Sequence, residues 1–381
     1  MSCFRRKGQT FGSALFYLRK SPRLTWRGFV NRECKGDGQS GDDIMARMRL
    51  AIAILGASAM FAQSDLPAPG FHHLHLNSTD PEAAIAFYVK QFPSAQKATF
   101  DGQPALKIGK AFILFNRVAA QPALEPQTAI WHFGWHVTDV RATMARFKAT
   151  GVKLLPLFTS PEGGEVFINS DTWPGTGGTL GRTRAQIAEA KAQNIQPAGG
   201  GGFAYLQGPD GATVEYQGNM PAERFNHVHM YQENPICAQL WYMKNLGGKG
   251  RAVEKSEANC KVERGEPSWP ALEKEGTIRV PSGAVTFDDV SMQWYANPGT
   301  KPLAPTRGHL ADHVALSVTN LNAWIQKLRT AGVKFLGQAQ ELGNGNSIVI
   351  DGFPSEYTVG GMRAVMIEGP SREAIELIEV K

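Results

Sequence analysis

The sequence predicts an α+β protein: four copies of one module, each a histidine-bearing strand, a helix and further strands, set in two pairs behind a signal peptide. Three observations predict this. First, the stretch FHHLHLNSTDPEAAIAFY, residues 71–88, recurs in design as WHFGWHVTDVRATMARF, FNHVHMYQENPICAQLWY and DHVALSVTNLNAWIQKL. Superposed, the four place His73, His132, His227 and His313 at one position. The residue seven places later is Asp80, Asp139, Asn234 or Asn320, where a helix N-cap belongs. Second, all nine histidines, at 72, 73, 75, 132, 136, 227, 229, 309 and 313, fall in these stretches or beside them. Third, the copies keep constant offsets. Gly151 and Gly332 are 181 residues apart, as are His132 and His313, while Gly208–Gly369 and Glu215–Glu376 are both separated by 161. The second and fourth modules are therefore equivalents, as are the first and third.

The N-terminal part reads differently. Residues 1–44 lack any apolar periodicity and form an unstructured leader. At Met45 the text changes to MARMRLAIAILGASAMFAQS, with Arg47 and Arg49 before a short apolar run and small residues after it. That is the pattern of a secretory signal peptide over 45–62, too short for a comfortable membrane span. Met45 or Met48 is then the expected true start. The expected location is secreted or periplasmic, with no stable membrane span after signal removal. The net charge is +6, but residues 1–49 hold eleven Lys and Arg against four Asp and Glu, which accounts for the whole surplus. The remaining chain is close to neutral and gives no support for nucleic-acid binding. Cys237 and Cys260, the cysteines outside the leader, form either a disulfide or two free thiols.

Along the chain, residues 65–70 make a linker into the first two-module domain, 63–220; the second spans 221–381. The first helix has Asp80 as N-cap, Pro81 at its first position and Glu82 in its first turn. Strands follow at 105–108 and 111–115 around the turn Gly109-Lys110. The second module has a strand at 131–137, a helix through Lys148, a strand entered at Gly151-Val152-Lys153, and closing strands over 203–218 with a Pro-Asp-Gly hairpin turn. The third module runs from Phe225 to about Asn297, and the fourth from about His309 to the C-terminus. An insertion at 160–202, with a short helix over 182–194, and a shorter one at 343–361 read as lids over a binding cup or as loops outside the sheet.

Each domain supplies two histidines on first strands and one glutamate on a last strand: His73, His132 and Glu215, then His227, His313 and Glu376. Two imidazoles and a carboxylate are a ligand set for a divalent metal, Fe, Mn, Ni or Zn, that leaves positions open for substrate. His75 and His229 follow their ligand histidines by two residues and His136 by four, on the same side of the strand, so they are the candidate catalytic acids and bases. Trp131, Trp135, Trp241, Trp294 and Tyr295 are candidates for a ring-lined cavity.

The His-x(6)-Asp/Asn helix starts, the Phe87-Tyr88 and Trp241-Tyr242 pairs, the Gly-Val-Lys strand entries and PDGATVEY together resemble the vicinal oxygen chelate superfamily, which holds glyoxalases, bleomycin-resistance proteins and extradiol dioxygenases. The resemblance covers most of residues 70–381. It implies βαβββ modules paired into two glyoxalase-like half-barrel domains, each closing a cup around a divalent metal that takes substrate through neighbouring oxygens. His73, His132, Glu215, His227, His313 and Glu376 fall on the family's ligand positions. The fourth ligand of glyoxalase-type sites would lie near Asn116 in one half and Gln293 in the other, both neutral. The Pro-x-Gly turn of the extradiol motif is kept at Pro209-Asp210-Gly211 and lost at Pro370-Ser371-Arg372. The activity implied is that of an extradiol-type dioxygenase or a glyoxalase-like lyase or isomerase on a small oxygenated molecule. The alternative is a small-molecule-sequestering protein of the bleomycin-resistance type.

Overall fold

The computed structural model describes residues 66–159, 165–169, 189, 192–194, 202–218, 220–253, 255–261, 282–337, 339–341, 347–349, 351–352 and 354–381. The expected leader, signal peptide and most of the 182–194 helix lie outside these residues. Asp65–Lys381 form one compact unit.

The order strand, helix, three or more strands occurs four times. The first unit is β1 (Gly70–Ser78), α1 (Pro81–Gln91), β2 (Gln96–Phe100), β3 (Gln103–Ile108) and β4 (Ala111–Arg117). The second is β5 (Ile130–His136), α2 (Val140–Ala149), β6 (Leu154–Leu155), a small pair β7 (Phe158–Thr159) and β8 (Glu165–Val166), β9 (Phe203–Gln207) and β10 (Thr213–Gln217). The third is β11 (Arg224–Gln232), α3 (Pro235–Leu246), β12 (Lys249–Gly250), β13 (Ser282–Phe287) and β14 (Val290–Ala296). The fourth is β15 (Ala311–Val318), α4 (Leu321–Thr330), β16 (Phe335–Leu336), a small pair β17 (Ala339–Glu341) and β18 (Ser347–Val349), β19 (Tyr357–Val359), β20 (Met362–Glu368) and β21 (Ala374–Glu379). The helix starts follow from their caps. The Asp80 carboxylate accepts from Ala83 N–H, Asp139 from Arg141 and Ala142, and Asn320 from Ala323, each occupying donors that have no intrahelical partner. Asn234 sits at the fourth N-cap without such a side-chain bond.

The units do not pair in chain order. One sheet runs β16-β20-β21-β15-β1-β4-β3-β2 and joins the first unit to the fourth; the other runs β12-β13-β14-β11-β5-β10-β9-β6 and joins the second to the third. The pairing of first unit with second and third with fourth is therefore not the one formed. The cause lies in the connections. Only Gly218–Glu223 separate β10 from β11, which turn into antiparallel neighbours. Residues 118–129 and 297–310 are longer and run side by side, bridged at Ala123–His309 and Thr128–Ala304, carrying the outer units across to each other.

In both sheets the two first strands meet antiparallel at the centre, and each is flanked on its other side by the last strand of its own unit, in parallel. The sheets share one apolar core. Tyr88 and Phe92 of α1 stack on Trp135 of β5 at 5.9 and 4.2 Å between ring centroids, and Phe71 of β1 meets Phe225 of β11 at 5.8 Å. Trp135 and Trp294 are fully buried and belong to this core, not to a ligand cavity. Burying an aromatic side chain of this kind is worth about 1.5–3 kcal/mol. Cys237 of α3 and Cys260 are joined in a disulfide. None of the described helices is long and apolar enough to cross a membrane.

Candidate metal centres

Cross-strand register builds two equivalent clusters. Where β5 meets β11, His132 lies opposite His229 and Gly134 opposite His227. On the outer flanks Glu215 of β10 lies beside Gly134, and Gln293 of β14 beside His229. Where β1 meets β15, His313 lies opposite His75 and Ala315 opposite His73, with Glu376 of β21 beside Ala315 and Leu114 of β4 beside His75. A register shift falls just before His73 and another just before His227, a bulge of the kind that re-aims a side chain beside a site.

All six expected ligands are therefore at sheet centres, but in other groupings than chain order suggests. His132, Glu215 and His227 converge in one cluster; His73, His313 and Glu376 converge in the other. The triads expected from chain order, His73 with His132 and Glu215, and His227 with His313 and Glu376, are not formed, because each first strand finds its partner across the 1–4 or 2–3 pairing. His75 and His229, expected on the ligand side of their strands as acids or bases, sit among the candidate ligand groups. One donor atom from each of His132, Glu215, His227 and His229 lies within 4.8 Å of all the others, and the same holds for His73, His75 and His313. His136 joins neither group: it ends β5 opposite Arg224, half-buried, near enough to act electrostatically on His227.

In the β5/β11 centre His132 Nε2 is 3.1 Å from Glu215 Oε2, and His227 Nε2 is 3.7 Å from Oε1. All four side chains are buried. Burial brings His227 down to about 4, with Glu215 opposing and His132 reinforcing the shift. Burial raises Glu215, with His227 opposing. Both ring nitrogens of His227 lack a hydrogen-bond partner among the described residues. A buried carboxyl group beside three imidazoles, one of them with both ring nitrogens unpartnered, fits a divalent cation, which would satisfy those nitrogens and offset the carboxylate charge. Of the expected fourth positions, Gln293 borders the cluster, its amide 3.4 Å from His229 Nδ1. Asn116 does not. It donates to Asn77, two residues beyond the equivalent slot, which Leu114 fills. Trp131, Tyr205 and Tyr295 ring this centre at 4.3 and 5.1 Å from His132 and 4.5 Å from His229 respectively. Trp241 packs on Tyr242 instead. A cleft of about 200 Å³ between the two long connections is lined in part by Trp131, His132 and His309.

In the β1/β15 centre His75 Nδ1 is 3.3 Å from His313 Nε2. Glu376 stands 3.8 Å from His73 Nε2 and from His313 Nε2, and accepts from the Tyr357 hydroxyl at 2.6 Å. Burial, reinforced by His313, holds His73 well below the usual imidazole range and brings His75 to about 3. Three contributors had gone unread in the sequence. Asp312 accepts from His313 Nδ1 at 2.7 Å and was signalled only by its adjacency. Tyr357 carried no signal, and Gly134 is explained only by what lies across the strand.

Four βαβββ units, joined through their first strands with a last-strand carboxylate alongside, form the architecture that the sequence resemblance implies. No protein-family model and no curated protein matches the chain. Among solved structures it is similar to glyoxalase I from Zea mays (14% identity, 82% of this chain and 92% of that chain, TM-score 0.48). It is also similar to a candidate dioxygenase from Bacillus subtilis (10%, 82% and 85%, 0.46). An integron cassette protein of Vibrio cholerae covers 39% of this chain and 94% of its own at 18% identity and a TM-score of 0.24. These likenesses are slight, and the case for a metal centre rests on this chain's own side chains.

Proposed function

We propose that the protein is an exported, metal-dependent enzyme that acts on a small oxygenated organic molecule at the β5/β11 centre. The observation that carries this is the buried convergence of His132, Glu215, His227 and His229 within one coordination-sized space. His132, His227 and Glu215 would hold the ion; His73, His313 and Glu376 stand at the matching register positions of the other sheet. When bound, a divalent metal supplies Lewis acidity toward a substrate bearing neighbouring oxygens.

The chain's own residues supply the rest. His229 lies opposite His132 and borders Gln293, so it can hold or move a proton at a substrate oxygen while the amide orients its ring. Trp131 and Tyr295 offer ring faces beside it, suited to a flat or apolar portion of the substrate. Export rests on the 45–62 pattern and is supported by the Cys237–Cys260 bond, which belongs to an oxidising compartment. Ring-cleaving oxygenation and lyase or isomerase chemistry both use such a centre, so the substrate screen spans catechols and thiol adducts of 2-oxoaldehydes. Elemental analysis of protein from its own host is the first test. At least one equivalent of Fe, Mn, Ni or Zn is expected, lost from this centre together with turnover in His132→Ala. Metal-free protein that still binds such ligands would instead favour sequestration.

A further inference from the structure

The two centres are equivalent in register but not in chemistry. In the β5/β11 centre the carboxylate is in contact with an imidazole, Glu215 to His132 at 3.1 Å. In the β1/β15 centre the donor atoms that lie within 4.8 Å of one another are those of His73, His75 and His313, without the carboxylate. Glu376 is 3.8 Å from both nearest imidazole nitrogens, and one of its oxygens accepts from Tyr357. The position that Gln293 fills beside His229 is Leu114 beside His75. With no amide from its flanking strand, His75 turns Nδ1 toward His313 Nε2.

His313 is fixed from behind. Its Nδ1 donates to Asp312 Oδ1, a carboxylate that also receives Gly308 N–H and the Arg307 guanidinium. With Nδ1 engaged by Asp312, it is Nε2 that faces His75. A carboxylate behind a histidine in this way is the usual device for orienting a metal-ligating imidazole. The 3.3 Å between the two nitrogens compares with about 3.4 Å for two ligands of a tetrahedral ion with 2.1 Å bonds. His73 completes the group, with a donor atom within 4.8 Å of the other two, and His75 Nε2 is buried without a hydrogen-bond partner among the described residues.

We propose that the β1/β15 centre is a second metal site of a different kind, with His73, His75 and His313 as its ligands and Glu376 held outside them by Tyr357. Three neutral imidazoles select ions with a preference for nitrogen, such as Zn²⁺, Cu²⁺ or Ni²⁺, over Mg²⁺, Ca²⁺ or Mn²⁺. The site stands apart from the catalytic reading of the β5/β11 centre, and the two are counted separately.

The experiment loads the metal-stripped full chain with Zn²⁺, removes excess by desalting and measures zinc per chain, with circular dichroism as the check on folding. Two equivalents are expected in the wild type and one in a His132→Ala/His227→Ala chain. On that background His75→Ala or His313→Ala is expected to weaken Zn²⁺ binding at least tenfold, whereas Glu376→Gln and Tyr357→Phe keep the equivalent. If the background chain fails to fold, His75→Ala alone in the wild type reads the same loss as a fall from two equivalents to one. The proposal is overturned if His75→Ala leaves zinc content unchanged, or if Glu376→Gln removes zinc as completely as His313→Ala. Should only the β5/β11 centre fail, the wild type and the double-alanine chain would each hold one equivalent, which sinks the catalytic reading and leaves this one standing.

Discussion

Gly134 shows how narrowly a single residue sets the β5/β11 centre. It lies opposite His227 and beside Glu215, and a Cβ there would collide with His227 Cε1, come within 2.9 Å of Nε2 and within 3.0 Å of Glu215 Cβ. The ring sits where a side chain would otherwise be. Gly134→Ala should therefore move the imidazole and weaken Zn²⁺ at this centre at least tenfold, while circular dichroism stays close to wild type. The β1/β15 centre, which already has Ala315 at the matching place, should keep its metal; equilibrium dialysis of the two variants Gly134→Ala and Ala315→Gly makes the comparison. The six candidate ligands could be picked out because they recur at fixed offsets. The glycine was not, since nothing in the run WHFGWH says that a histidine some ninety positions on will lie over it. The same holds for Tyr357, whose meaning comes from a carboxylate two strands away in the sheet.

Among elements, the helix starts were readable because an N-cap is local chemistry, and Asp80, Asp139 and Asn320 do what their position suggests. The hairpin turns were only half readable. At Pro209-Asp210-Gly211, Asp210 reaches out to accept from Ser78 and Thr79, tying the second unit to the start of α1. At the equivalent turn, Glu373 takes over the tie. Fully buried, it accepts from Tyr242 Oη at 2.6 Å, Gln232 Nε2 at 2.8 Å and Ser371 N–H at 2.8 Å, joining the third unit to the fourth. Glu373→Ala strands these buried donors and should cost about 3 kcal/mol, read from urea midpoints. Burial raises the Glu373 carboxyl above its ordinary value, with the Tyr242 and Gln232 bonds opposing. Its contribution is therefore full below about pH 4.5, the unfolded value, and is lost as pH rises through the higher folded value. Glu373→Gln cannot ionise, so the stability gap between variant and wild type should move in the variant's favour from pH 4.5 to 7. A constant gap would show that Glu373 does not titrate differently on folding. The disulfide was left open by the sequence because the meeting of Cys237 and Cys260 depends on the path of the chain beyond α3. Replacing both by serine should cost about 3 kcal/mol for a loop of this length.

At the scale of the whole molecule, the repeat predicted the kind of contact and missed its partners. Offsets of 181 and 161 prove that strands are equivalent, but four equivalent first strands can pair in more than one way, and hydrophobic pattern is the same in each. What decides is connection length, with Gly218–Glu223 short and residues 118–129 and 297–310 long. The consequence is that each centre is assembled from residues far apart in the chain: His132 and Glu215 need His227 and His229, and His73 and His75 need His313. A chain cut between 220 and 221 divides both. Fragments 63–220 and 221–381 expressed separately should each lack the antiparallel partner of two central strands, β1 and β5 in one, β11 and β15 in the other, and neither should retain zinc after desalting. Mixed during refolding they should restore both sheets together with two equivalents, because every missing strand partner is supplied by the other fragment. Zinc held at full stoichiometry by 63–220 alone would mean that His73, His132 and Glu215 can meet after all, and would overturn the 1–4 and 2–3 pairing as the basis of both centres.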